Sequence, residues 1–437
     1  MTPSSEQVVE PWVEHAIVWH VYPLGFVGAP IRPEAPQVHV EHRLPRLVGW
    51  LDHAVSLGAS VLALGPVFAS STHGYDTVDH LRIDPRLGDD ADFDALVVAA
   101  HDRGLSLVLD GVFNHVGREH PAFQALLAQG PDAPQATWFG GDPAHVGVFE
   151  GHDALVELDH GSDAVVDLVV EVMVHWLDRG ADGWRLDAAY AVPPAFWARV
   201  LPRVREAHPG VLVFGEVIHG DYAAIVAESG LDSVTQYELW QGIWHGIAEG
   251  NFFELAHALG RHQELLETFV PMTFLGNHDT TRIATAVGDR RHLPHAVALL
   301  ATLAGTPSVY AGDELGLEAV KQDRLGGDDA VRPEMPASPD DLDGSGAEVL
   351  ELYRSLLGFR RRHPWLRTAR ADVLHLENGS LVLRIGRDDE AVVVALSLLD
   401  EPVDLPVADA ARVEVGAGAL ADGSLRLPPH GWAVCTA

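Results

Sequence analysis

Eight apolar runs alternate with stretches of helical spacing through the first three-quarters of this 437-residue chain. The strand-like runs lie at residues 16–24, 60–68, 105–113, 182–188, 211–217, 232–239, 272–276 and 307–312. Helix-like spacing fills residues 42–58, 93–104, 164–179, 194–207 and 292–304. Val, Leu and Phe dominate the strands, as expected for a parallel sheet buried on both faces. Eight such units predict a (β/α)8 barrel. Residues 116–161 break the rhythm with Gly, Pro and polar residues and read as an insertion after the third strand. After a helix at 348–362 the segments become short, alternating and turn-punctuated, which predicts a small antiparallel β-domain. The expected division is a catalytic barrel at 1–115 and 162–363, an insertion domain at 116–161, and a β-sandwich at 364–437.

Four strand ends carry carboxylates: DGVFNH (110–115), GWRLDA (183–188), FGEV (214–217) and FLGNHD (274–279). Parallel barrel strands point their C-terminal ends at one shared pocket, so Asp110, Asp187, Glu216 and Asp279 are expected to meet there with Arg185, His115 and His278. Two carboxylates on neighbouring strands suit glycoside hydrolysis, one as nucleophile and one as acid and then base. Arg185 lies two residues before Asp187 and shares its face, so its guanidinium is expected to hold Asp187 anionic. Glu216 has apolar neighbours that favour its protonated form. His115, His278 and Asp279 are placed on sugar hydroxyls, with Tyr75 available to stack on a sugar face. Asp110 reads as a brace for Arg185. His20 and His73 read equally well as satisfied core histidines. Trp138 and Trp244 stand in loop-like or post-strand positions, while most other tryptophans read as core.

The balance of 29 basic against 63 acidic residues gives a net charge of −34. That argues against nucleic acid or an anionic membrane surface as a partner and fits a solvated acidic surface. Cys435 is the only cysteine, so no intrachain disulfide can form. The N-terminal stretch has neither a basic nor an apolar signal-peptide region, and no apolar run reaches the length of a membrane span. The expected location is the cytoplasm.

The four segments, in this order, resemble those of the α-amylase family of glycoside hydrolases. HGYDTVDHLRIDPRLG (73–88), GTPSVYAGDELG (305–316) and GGDDAVRPEMP (326–336) extend the resemblance, which covers about residues 16–336. It is similar most of all to the neopullulanase, cyclomaltodextrinase and oligoglucosidase branch. The resemblance implies Asp187 as nucleophile, Glu216 as acid/base and Asp279 as transition-state stabiliser. It places Tyr75, His115, Arg185, His278, Asp328 and Arg332 around the −1 sugar, and it implies retention of anomeric configuration. Many relatives carry Lys-His three and four residues after the nucleophile, where this chain has Tyr190 and Ala191. The specificity segment reads LVELD (155–159), with Glu157 in the variable place and no proline. Few residues precede the first strand, too few for the N-terminal β-domain through which cyclomaltodextrinases dimerise.

The implied activity is hydrolysis of α-1,4 and/or α-1,6 bonds in short linear or cyclic malto-oligosaccharides. A transglycosylase or glucan isomerase on the same scaffold, a barrel metallohydrolase and a non-catalytic carbohydrate-binding member are the alternatives. No cofactor or catalytic metal is expected. A structural calcium ion would rest on Asn114 alone. The partner is a small α-glucan, with no nucleic acid and no membrane, and the oligomeric state is open, a homodimer included.

Overall fold

The computed structural model describes residues 11–34, 39–141, 145–408 and 410–436. Eight parallel strands form one sheet in the order 6-5-4-3-2-1-8-7. They are Val18–Val21, Val61–Leu64, Ser106–Gly111, Gly183–Leu186, Leu212–Gly215, Ser233–Val234, Met272–Phe274 and Thr306–Tyr310. A parallel bridge between Thr235 and Met272 joins the sixth strand region to the seventh and closes the ring. The fold is therefore a (β/α)8 barrel carrying a C-terminal antiparallel β-domain.

Strand alternation sorts the apolar residues into two layers. Val18, Ala63, Val108, Leu212, Phe214 and Met272 belong to a compact cluster inside the barrel. Trp19, Leu62, Leu64, Leu107, Leu109, Trp184, Leu186 and Val213 join the larger layer between sheet and helices. Helix Asp163–Asp178 shows how the sequence makes that layer. Its buried residues Val165, Val166, Val169, Val172, Met173 and Trp176 recur at helical spacing, and Trp176 Nε1 donates to the His80 carbonyl at 2.8 Å. Helix Asp90–His101 starts where Asp89 and Asp92 form a capping box, which satisfies backbone N–H groups that would otherwise lack partners.

Three elements differ from the sequence reading. The sixth strand, expected at 232–239, spans only Ser233–Val234, because the Gln236 side chain caps a helix that begins at Tyr237. The first strand ends at Val21, because Pro23 opens a short helix, Pro23–Phe26. The second ends at Leu64; after Gly65 and Pro66 the chain forms an unforeseen ribbon of Phe68–Ser70 against Thr77–Ile83. Within the insertion, His115–Gly117 pairs antiparallel with Leu155–Glu157, and helix Pro121–Gln129 lies between them. The C-terminal strands form a five-stranded and a three-stranded antiparallel sheet. Val382, Val393 and Ala395 of the larger sheet share a core with Leu405, Leu425 and Leu427 of the smaller. Among the described residues no helix is long and apolar enough to cross a membrane.

Candidate active site

Register builds the site. Asp110 on the third strand stands opposite Arg185 on the fourth, and Arg185 opposite Phe214 on the fifth. The ladder runs one residue past the strand ends: Asp187 N–H donates to the Gly111 carbonyl at 3.0 Å and Glu216 N–H to the Leu186 carbonyl at 2.8 Å. Asp187 and Glu216 therefore sit at matched heights on neighbouring strands. Both are buried, each with 8% of its surface exposed.

Arg185 is the hub, but its closest partners are not the expected one. Its guanidinium contacts Asp110 at 2.5 Å and Glu216 at 2.8 Å, while Asp187 lies at 3.6 Å. The brace assigned to Asp110 is present; the grip on Asp187 is the loosest of the three. Glu216 also accepts from the Tyr237 hydroxyl at 3.1 Å and from the Ala188 N–H at 3.2 Å. Ala188 reaches it in the left-handed region, at φ 46°, a conformation that costs a non-glycine residue free energy and is tolerated at functional sites. Burial and the neighbouring charge of Glu216 push the Asp187 carboxyl well above its ordinary range, against the pull of Arg185. Asp187 thus favours its protonated form, contrary to an Asp187 kept anionic by Arg185.

Asp279 behaves oppositely. Burial alone would raise it, but His278 and Arg332 hold its carboxyl well below the usual range. His278 Nε2 lies 3.0 Å from one carboxylate oxygen, and Arg332 Nη2 donates to the other at 2.5 Å. Arg332 also donates to the His278 carbonyl at 2.8 Å and to Asp328 at 3.2 Å. The rings form a column. Tyr75 stacks on His278 with centroids 5.5 Å apart, and His278 on Tyr22 at 5.7 Å. The Arg332 guanidinium caps Tyr22 at 4.6 Å. The Tyr75 hydroxyl contacts both His278 Nε2 and Asp110, so it links the two halves of the network.

His115 is placed beside Tyr75, but both ring nitrogens face protein groups: Nε2 the Tyr75 carbonyl at 3.0 Å and Nδ1 the Asn114 amide at 3.1 Å. Burial pulls its pKa down to about 3, so the ring is neutral. A sugar hydroxyl would have to displace one of these partners. His20 is not a satisfied histidine: among the described residues its buried Nε2 has no hydrogen-bond partner, and the ring meets His278 edge-on at 5.1 Å. His73 supplies a carbonyl to the Tyr22 hydroxyl at 2.8 Å. Trp138 packs near His120, 6.1 Å away, and Trp244 against Trp240 at 5.8 Å; neither touches the carboxylates.

Sequence reasoning missed Tyr22, Tyr237 and Asn277, whose amide donates to the Tyr237 hydroxyl at 2.7 Å. Tyr237 opens the helix after the sixth strand, whereas the sequence reading places it inside that strand. Reasoning also missed how Tyr190 is held. Its hydroxyl donates to Glu150 of the insertion at 2.8 Å, and Glu150 itself has φ 49°. Phe149 stacks on His115 at 4.9 Å, and His219 meets Tyr190 at 5.0 Å.

The site gathers four carboxyl groups around two guanidinium groups, those of Arg185 and Arg332. Such a site favours positive charge developing on a bound group. Residues 47–370 match the model of the alpha amylase catalytic domain. The chain is 29% identical over 411 residues to a cyclomaltodextrinase of Bacillus sp, covering 87% of this chain and 71% of that protein. It is 29% identical over 381 residues to neopullulanase 2 of Thermoactinomyces vulgaris, covering 80% and 63%. Among solved structures, the ligand-free cyclic α-maltosyl-(1→6)-maltose hydrolase of Arthrobacter globiformis superposes with a TM-score of 0.82 at 27% identity, covering 98% of this chain and 100% of that one. The debranching enzyme of Nostoc punctiforme gives 0.83 at 25% identity, covering 98% and 99%. With its barrel, its strand-end carboxylates and a family match over residues 47–370, the chain belongs to the α-amylase family of glycoside hydrolases.

Proposed function

We propose that this protein is a retaining glycosidase that hydrolyses α-glucosidic bonds in short linear or cyclic malto-oligosaccharides. The observation that carries the reading is the placement of Asp187 and Glu216 one residue beyond adjacent strand ends, around a common arginine. The names of the similar proteins, several of which denote hydrolases of cyclic or branched α-glucans, support the substrate class.

In the proposed reaction Glu216 gives its proton to the glycosidic oxygen while an Asp187 oxygen bonds to the anomeric carbon, and the leaving sugar departs as an alcohol. Water then attacks the anomeric carbon of the glycosyl ester. Glu216 takes the proton from that water, and Asp187 leaves as carboxylate. The proton that Asp187 favours must therefore move to Glu216 when a sugar is bound. Substrate binding would supply that shift by covering Glu216 and placing an electron-poor carbon against Asp187. Asp279, kept ionised by Arg332 and His278, faces the positive charge that develops on the ring. Tyr75, with the column behind it, offers a stacking surface for the −1 sugar, and Asp328 with Arg332 borders that sugar.

This chemistry needs no cofactor, and exhaustive chelation should leave turnover unchanged. The single cysteine, buried at Cys435, suits a reducing compartment, and the reading includes action in the cytoplasm. The decisive experiment is a panel of maltooligosaccharides, isomaltooligosaccharides, cyclodextrins and cyclic tetrasaccharides, with the product anomer followed by NMR from the first turnover. Release of the α-anomer from any of these supports the reading; release of the β-anomer, or no turnover on the whole panel, overturns it.

A further inference from the structure

The opposite face of the barrel holds a cavity of about 130 Å³, lined by Glu14, His15, Gly305, Arg360, Arg361 and Arg367 among others. That is about four times the volume one water occupies in the liquid. It lies where the chain enters the first and eighth strands, away from the carboxylates at their other ends. Three of only 29 basic residues converge there in a chain of net charge −34.

Their hydrogen bonds go to uncharged groups. Arg360, 5% exposed, donates to the carbonyls of Ala301, Leu303 and Gly305 at 3.0, 2.8 and 2.5 Å. Arg361 donates to the Gly58 carbonyl at 2.8 and 2.5 Å and to the His15 carbonyl at 2.5 Å. Arg367 Nε is buried with no partner. Carbonyls satisfy N–H groups but leave the charge unneutralised, and a guanidinium does not shed its proton in proteins. Among the described residues none of the three pairs with a carboxylate. Glu14, on the exposed rim, acts on Arg367 only at a distance. Burial, then the charges of Arg367 and Arg361, push Arg360 down to about 9, the mark of like charges crowded out of water.

Buried charges are normally paired, and guanidinium forks match phosphate oxygens geometrically. We propose that this cavity binds a phosphate group, free or carried on a small sugar. Arg367 is its direct ligand and Arg360 and Arg361 supply further charge. The site is independent of the glycosidase reading, since it shares no residue with the catalytic face.

The test is thermal unfolding and calorimetric titration of the full chain with inorganic phosphate and, separately, with a hexose monophosphate, at constant ionic strength. Saturable binding is expected, weakened at least tenfold in Arg367→Gln, with activity on a malto-oligosaccharide serving as the check on folding. Arg367 makes no side-chain hydrogen bond among the described residues, so the variant should fold. Glu14→Gln removes a repulsive charge and should tighten binding about twofold or more. Saturation by both ligands identifies the phosphate alone as the determinant; saturation only by the hexose phosphate adds the sugar. Absence of saturable binding, or binding unchanged in both variants, overturns the proposal.

Discussion

The two sides of the proposed catalytic pair are built differently. On one side, Asp279, His278, Tyr22 and Arg332 each touch at least two others of the column, and Tyr75 joins His278 to Asp110; most of these groups are buried. On the other, the Tyr190 side chain makes one hydrogen bond, to Glu150, an insertion residue in a strained backbone conformation, and among the rings of the described residues it meets only those of His219 and Phe149. The first side is cross-braced, and the second is held through the insertion. On the proposed reading the barrel ends carry the bond chemistry, and the insertion is where the choice of leaving sugar would be tuned.

The largest effect should come from the pair itself. Asp187→Ala should lower kcat on every substrate by about 10⁴-fold or more, since loss of one group that acts within a catalytic unit removes most of the unit's effect. Glu216→Gln should cost about 10²–10⁴-fold on oligosaccharides and far less on an aryl glucoside whose leaving group needs no proton. Equal losses on both substrates would count against Glu216 as the acid. Next, Arg332→Met removes a charged hydrogen bond to Asp279. At about 1.5–3 kcal/mol for such a bond, kcat/KM should fall by roughly 10–150-fold, whatever the leaving group. On the looser side, Tyr190→Phe or Glu150→Gln should change kcat/KM only a few-fold and shift the ratio of products between linkages. A uniform loss across substrates would mean that this side also belongs to the chemical machinery.

The smallest effect concerns stability. Because burial and Glu216 raise Asp187 in the folded state, the folded protein binds a proton more tightly there than the unfolded chain. Stability from this group is therefore lost as pH rises from the unfolded carboxyl range through the raised folded value. Asp187→Asn should raise Tm at neutral pH by on the order of a few degrees and leave it unchanged in acid, below both values. An equal rise at every pH would point to a cause other than ionisation.

The barrel and its strand-end carboxylates were legible because both rest on repeated, local patterns. What failed depends on neighbours across strands. Same-face residues two apart on a strand are about 6.6 Å apart along the chain, whereas adjacent strands are about 4.8 Å apart. Arg185 accordingly pairs with Asp110, directly opposite it, ahead of Asp187 on its own strand; Glu216 lies diagonally, two residues beyond Phe214, and the long Arg185 side chain reaches it. No spacing rule exposes such register. Tyr22 was hidden inside an apolar run, and Tyr237 follows a strand of only two residues, Ser233–Val234. The ribbon Phe68–Ser70 with Thr77–Ile83 escaped because its pairing shifts register twice and its outer strand alternates polar residues. The hold of Glu150 on Tyr190 joins residues 40 apart in irregular loops, where no periodicity operates.

The ring has a seam. Among the described residues the backbone joins the sixth and seventh strands only at the Thr235–Met272 bridge, with the Gln236 N–H to Met272 carbonyl bond at 2.9 Å, and the Ser233 hydroxyl reaches the Val270 carbonyl at 2.7 Å. Partial opening should begin there, well below the free energy of global unfolding, so amides 235 and 236 should exchange with deuterium before those of the third and fourth strands. Tyr237, which touches Glu216, is the next residue along. Heat or denaturant would then silence the enzyme before it melts, with activity fading at temperatures where the rest of the barrel still protects its amides.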